Sequence, residues 1–297
     1  MKKITFFASF IVLLATGCAH KITPTTTTAT VPANEGTGII TIQPGGKYVV
    51  ENKITTNSTS EMQGQSMETN ADVTSIYNIE VNDVKGDNYN MTNKIAGIKM
   101  TMNTMGQNIN FDSDKKEDMN GEMGSAFKDV INKPTPVVMD KSGTIINAEP
   151  DSTEADASSQ AAMVLKQLGD PKAMCYGAKM AFLAIPKNAK TGTTWQDSTS
   201  TEGVTRVTNY TIKEINADTA TVTMTGTENR NVKMEMQGME INTKTNGQFS
   251  GQQTVNIHTG IVYKNELDAN ATGTISVMGQ DIPTKIKVTS ATTVKPM

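Results

Sequence analysis

Two Met-x-Met pairs, Met100/Met102 and Met234/Met236, stand out in a chain of 297 residues that holds 19 methionines. Thioethers are soft ligands that suit Cu(I). Residues two apart on a strand face the same side, so each pair could aim two sulfurs at one ion. The same placement also serves an apolar purpose, because methionine fits irregular gaps and lines adaptable cavities. Here it recurs along the faces that carry isoleucine. Met100, Met102, Ile109, Met234, Met236 and Ile241 are therefore expected to line an apolar cavity, with no resident metal or cofactor. Cu(I) binding by the Met-x-Met strands is the alternative. Histidine is nearly absent: the chain has only His20 and His258. Neither a serine triad nor a histidine-rich zinc site can be built from them, and His258 reads as a turn residue. Asp112, Asp114, Glu117 and Asp118 cluster without the spacing of a calcium loop, which suggests a solvated hairpin. Cys175 reads as a small buried apolar residue and Trp195 as a core anchor.

Three fragments imitate the signature of penicillin-binding enzymes: Ser125-Ala126-Phe127-Lys128, Lys190-Thr191-Gly192 and Tyr263-Lys264-Asn265. In those enzymes the lysine-threonine-glycine element comes last, whereas here it comes second. The helical domain that would carry the serine is also missing. No catalytic set is expected, and the chain reads as a non-enzyme.

The N-terminus carries the sharpest chemical signal. Lys2 and Lys3 precede an apolar run from Ile4 to Leu14, followed by Ala15-Thr16-Gly17-Cys18. A basic start, a short apolar run and a small-residue exit make a secretory signal. A run of about eleven residues is too short to span a bilayer, which needs about 20. The exit resembles a bacterial lipobox, which implies removal of residues 1–17 and acylation of Cys18. Multiple acyl chains at about 0.8 kcal/mol per CH₂ anchor stably without a membrane helix. Without Lys2 and Lys3 the chain keeps 25 basic against 30 acidic residues. That balance argues against nucleic acid, which asks for a clustered basic face, and against a polybasic grip on lipid. With Cys18 acylated, Cys175 has no cysteine partner, so the fold must stand on its core.

Residues 18–37 are Thr/Pro-rich and aperiodic, as in a disordered tether; about 19 extended residues reach roughly 60 Å. Strand-like alternation follows from Tyr48 to Phe111. Helices are expected over Glu122 to Ile131, over Thr153 to Leu168, and after Pro171 with Met174, Ala178, Ala181 and Phe182 on one face. Strands then resume over Val204 to Ile215, Thr219 to Thr225, Val232 to Met236, Met239 to Thr243, Phe249 to Ile257, Ile261 to Leu267, Gly273 to Met278 and Ile282 to Val294. The halves match each other. Ile98-Lys99-Met100-Thr101-Met102 parallels Val232-Lys233-Met234-Glu235-Met236, and residues 137–145 parallel residues 254–262. Glycine-containing tips recur at Met62-Gln63-Gly64, Met105-Gly106-Gln107, Met236-Gln237-Gly238 and Met278-Gly279-Gln280. The expectation is a mainly β (α+β) fold, a duplicated curved antiparallel sheet or half-barrel with a few helices between the copies. Its first β-unit spans residues 38–150, a helical segment 151–186, and a second β-unit 187–297.

The lipobox, the strand start Gly46-Lys47-Tyr48, the hairpin Asp140-Lys141-Ser142-Gly143-Thr144 and the segment from Pro186 to Trp195 together resemble an uncharacterised family of lipoproteins from the Bacteroidota. The architecture is more loosely similar to periplasmic lipoprotein carriers of the LolA type, in which a curved sheet half-encloses acyl chains. The first resemblance transfers no activity, and fold analogy alone is weak evidence for function. It does imply a location. Surface-exposed lipoproteins of that group carry acidic residues after the cysteine, whereas Cys18 is followed by Ala19-His20-Lys21, so the protein is expected on the outer membrane facing the periplasm. Asp151-Ser152-Thr153, Asp197-Ser198-Thr199 and Asp218-Thr219-Ala220 resemble the O-glycosylation acceptor of the same group, implying Ser152, Ser198 and Thr219 as acceptors. The expected function is non-enzymatic binding of an apolar ligand or an envelope protein on the curved sheet, or a purely structural role.

Overall fold

Period-two alternation calls for cross-strand partners, and a computed structural model supplies them in one antiparallel sheet of twelve strands. The structure describes residues 38–62, 64–104, 107–128, 130–148, 176–201, 203–236 and 239–297. The first half of the chain forms β1 (Lys47–Met62), β2 (Gln65–Lys85), β3 (Asn88–Thr104), β4 (Gln107–Asp112), α1 (Lys116–Met119), α2 (Glu122–Phe127), β5 (Pro134–Asp140) and β6 (Ile145–Ala148). The helix α3 (Tyr176–Ala181) leads into β7 (Thr194–Thr201), β8 (Val204–Asn216), β9 (Thr219–Met236), β10 (Met239–Asn256), β11 (Val262–Val277) and β12 (Gln280–Pro296). Strand order is β6-β5-β3-β2-β1-β12-β11-β10-β9-β8-β7, with β4 beside β3. The sheet is open, ending at β6 and β7. Its two halves join where the first strand meets the last, with Val50 opposite Val294.

The second-half strands are longer than the alternation alone suggests. Expected breaks between Thr225 and Val232, between Thr243 and Phe249 and between Leu267 and Gly273 do not exist, and β9, β10 and β11 run straight through them. Glycine weakens a strand by itself but is required where another group approaches the backbone closely. A Cβ on Gly226 would sit 2.3 Å from Cζ of Phe249, and one on Gly273 would sit 1.9 Å from the carbonyl oxygen of Lys244. These glycines therefore make room for cross-strand neighbours. At the β11–β12 tip the glycine has the expected turn role: Met278 (φ 51°) and Gly279 (φ 79°) are both left-handed, as a two-residue type I′ hairpin requires.

One face of the sheet carries the core. Helix α3 lies across it beside Tyr48, Val50, Tyr77 and Ile79, and Ala178 and Ala181 are buried in that cluster. Phe182 meets Tyr48 edge to face, ring centroids 5.4 Å apart. Helices α1 and α2 cover a second cluster, where Phe127 stacks on Phe111 at 4.9 Å. Full burial of one such ring contributes about 1.5–3 kcal/mol. The helix expected from Thr153 to Leu168 lies outside the described residues.

The duplicated turns share a structure and a task. Asp140 Oδ1 accepts from the backbone N–H of Ser142 and Thr144, and Asn256 Oδ1 accepts from His258 and Thr259. Between them they hold the segment that follows the expected tether. Ile40 N–H donates to Lys141 at 2.7 Å, and Thr41 N–H donates to Thr259 at 3.1 Å. Tyr89 Oη donates to the Ile40 carbonyl at 2.6 Å, and Ile40 itself is 0% exposed.

Candidate binding site on the inner face

The chain contains only two arginines, Arg206 and Arg230, among 27 basic residues. Pairing of β8 with β9 brings both to one glutamate. Three successive rows on the inner face set the geometry: Val204–Arg230–Thr245–Gly273, then Arg206–Glu228–Gly247–Ala271, then Thr208–Gly226–Phe249–Ala269. Arg230 Nε donates to Glu228 Oε1 at 2.7 Å, and Arg206 Nη1 donates to Oε2 at 3.5 Å. Glu228 is 3% exposed, and both arginine side chains are 11% exposed. Arg206 lies over the Phe249 ring, 4.0 Å from its centroid, a cation–π contact.

This cluster is unbalanced. Two guanidinium ions face a single buried carboxylate, and Asp197 contributes only from the exposed edge strand β7. Burial pulls Arg206 below its ordinary pKa, opposed mainly by Glu228. Burial also pushes the neighbouring Tyr210 up to about 12. Arg230 Nη2 is buried without a hydrogen-bond partner. Arg230 and Glu228 line a cavity of about 10 Å³ together with Thr245, Phe249, Ala269, Ala271, Ile286 and Val288. That is room for about one water molecule. Arginine presents a planar fork of donors and keeps its charge when buried. Such a site can hold an anionic or acceptor group beside an apolar one.

The inner face is polar at a second level. Asn52, Thr292, Asn265 and Gln253 occupy one row across β1, β12, β11 and β10. Thr292 Oγ1 donates to Asn52 Oδ1 at 3.1 Å, and it also lies 3.9 Å from Met180 Sδ of α3. Gln253 Oε1 and Asn265 Oδ1 are buried without partners.

The methionine cavity expected from sequence does not assemble as one lining. Met100 and Met102 are each 3% exposed and pack with Phe111 and Phe127, with Ile109 against the same cluster. Ile241 is buried on β10, five strands away from β3, in register with Met234, while Met236 is in register with Met239. The acidic group at 112–118 organises a turn: Lys99 pairs with Asp112 and Asp114, and Asp118 Oδ2 accepts the Asp112 N–H at 2.8 Å. His258 is an exposed turn residue 3.2 Å from Asp218. Trp195 is half-buried on β7, stacked on Tyr210. Ser125 lies on α2, Lys190 in the turn before β7 and Tyr263 on β11, three separate elements. Ser198 is exposed on β7, and Thr219 opens β9 with its hydroxyl donating to the Asn216 carbonyl at 3.2 Å. Cys18, His20, Ser152 and Cys175 lie outside the described residues. The arginines were missed because motif and periodicity searches ignore rarity. Their scarcity within strands otherwise supplied with lysine was the available signal.

Comparison with known proteins adds a family. Residues 86–262 match the model described as "Family of unknown function (DUF6263)". The chain belongs to this family. No curated protein matches the chain. Among solved structures, it is similar to the COG4313 outer membrane channel from Pseudomonas putida F1 at 7% identity, covering 90% of this chain and 100% of that one, with a TM-score of 0.25. It is similar also to OccK5 (OpdH) from Pseudomonas aeruginosa at 6% identity, 86% and 98% coverage and a TM-score of 0.25. The translocator domain of the autotransporter NalP from Neisseria meningitidis follows at 6% identity, 84% and 88% coverage and 0.22. At such scores the likeness carries no conclusion about fold or location.

Proposed function

We propose that this family member is a lipid-anchored lipoprotein of a Bacteroidota envelope, without enzymatic activity, whose curved sheet binds an apolar molecule on its inner face. The observation that carries this reading is the gap beside Arg230. Arg230, which carries an unsatisfied buried donor, lines one cavity with Phe249, Ala269, Ala271 and Val288, and concave apolar linings with a few polar groups are the usual form of ligand sites. The clasp on Ile40 supports the anchor, because it fixes the folded part directly behind the tether that begins at Cys18. Orientation towards the periplasm rests on Ala19-His20-Lys21, and Ser198 is a candidate glycosylation site because it is exposed.

Native purification from membranes followed by mass spectrometry tests the binding reading. A stoichiometric apolar molecule that co-purifies supports it, whereas a protein that is free of small molecules and retained only by another envelope protein replaces it with an interaction role. Cys18→Ala should release the protein from membranes. Protease shaving of intact cells should leave the mature protein uncut, and digestion of it beside an intact periplasmic control would place it on the cell surface.

A further inference from the structure

We infer that Arg206 and Arg230 form an acceptor site for the anionic head of an amphiphile, whose apolar part lies against Phe249 and the small residues beside it. The inference rests on the binding reading above and names the ligand class. Charge is the first argument. Two guanidinium ions and one carboxylate, nearly removed from water, leave about one uncompensated positive charge, and an unpaired buried charge is strongly unfavourable. A purely structural triad would be better balanced and would use its donors. Instead Arg230 Nη2 has no hydrogen-bond partner, and Arg230 is among the residues that line the cavity. A carboxylate or phosphate oxygen placed there would answer both deficits with one charge-assisted hydrogen bond.

Shape is the second argument. Gly247 stands beside Glu228 in the ladder, and Ala269 and Ala271 follow on β11. Together they leave a low wall between Phe249 and the β12 side chains Ile286 and Val288. Across this row the residues thus change from the charged Arg206–Glu228 pair to small and apolar ones, so a charged end lies beside an apolar one. The cavity, about 10 Å³, admits about one oxygen-sized group. The tail therefore enters by displacing side chains of this wall.

The test uses the full mature chain, delipidated and refolded, with dodecanoate, dodecyl phosphate, dodecanol and dodecylammonium, each below its micelle concentration. Calorimetric titration should show both anions binding about tenfold or more tighter than dodecanol, the discrimination expected of a single charge-assisted hydrogen bond, with dodecylammonium weakest. The ratio of the two anions identifies the head group. Arg230→Gln should erase the preference of both anions over dodecanol, and Arg230→Lys should restore part of it. Circular dichroism and melting of each variant establish that it is folded. If Arg230→Gln does not fold, Arg206→Lys, which retains the charge but loses the planar fork, must still reduce the preference. Equal binding of dodecanoate, dodecyl phosphate and dodecanol by the wild type overturns the anion site and leaves apolar binding standing. Failure of all four to bind overturns the binding reading itself.

Discussion

Glu228→Gln is the sharpest test of the arginine cluster as a physical object. The substitution keeps shape and volume but removes the one buried negative charge. Glu228 is 3% exposed and accepts from Arg230 at 2.7 Å and from Arg206 at 3.5 Å. Breaking a buried ion pair from one side costs about 3–5 kcal/mol, because the remaining charge is stranded. Here two cations are stranded, but each keeps about a tenth of its surface in water and Arg206 retains the Phe249 face. A loss of about 3 kcal/mol is therefore expected. For a domain of this size that lowers Tm by roughly 6–12 °C, read by thermal melts with matched denaturant titrations. Replacing all three together, as Arg206→Met, Glu228→Leu and Arg230→Met, removes every charge and should recover most of the loss, since apolar substitutes for buried ion networks are often neutral or stabilising. A Tm for Glu228→Gln within about 2 °C of the wild type would mean that the cluster is hydrated in solution, and the imbalance argument would fail with it.

Three further outcomes follow from other parts of the fold. Ile40→Ala should cost about 2–5 kcal/mol, because Ile40 is 0% exposed between the two matched turns; limited proteolysis should then cut near residue 40, and unchanged resistance would remove the clasp from the account. Gly226→Ala should destabilise by about 1–3 kcal/mol, since its methyl would meet Val207 O at 2.1 Å as well as the Phe249 ring; an unaltered melt would show that the strand has slack there. Tyr210 has its pKa raised from 10.0 to about 12, mainly by burial. Its contribution is fully present below pH 10 and is lost as pH rises through about 12, so the stability of Tyr210→Phe should fall less over that window, by up to about 2 kcal/mol. Equal alkaline slopes for the two proteins would contradict that burial.

Fold class was legible because its signals are local. Alternation along Val73, Ser75, Tyr77, Ile79 and Val81 specifies a half-buried strand, and Met278-Gly279 specifies a two-residue tip; both act over a few residues. The matched turns at 140–144 and 256–261 were legible as a repeat. That both clasp Ile40 was not, because the contact joins segments about one hundred and about two hundred residues apart. Strand length was misjudged for a related reason. Local propensity counts Gly226 and Gly247 as breaks, whereas cross-strand neighbours decide that those positions must lack a Cβ.

The methionine pairs illustrate the limit from the other side. Sequence alone determined that Met100 and Met102 share a face, since side chains two apart on a strand must. Only the tertiary structure decided that this face lies under Phe111 and Phe127, and that Ile241 is five strands away. The arginine cluster depended on register entirely. Arg206 and Glu228 are opposite each other only because β8 and β9 pair as they do, and a slip of one residue would send one of them to the outer face. The sequence determined the strands, the turns and the two rare guanidinium groups. Pairing across the sheet decided what those groups face, because burial and charge balance depend on neighbours that are distant in the chain.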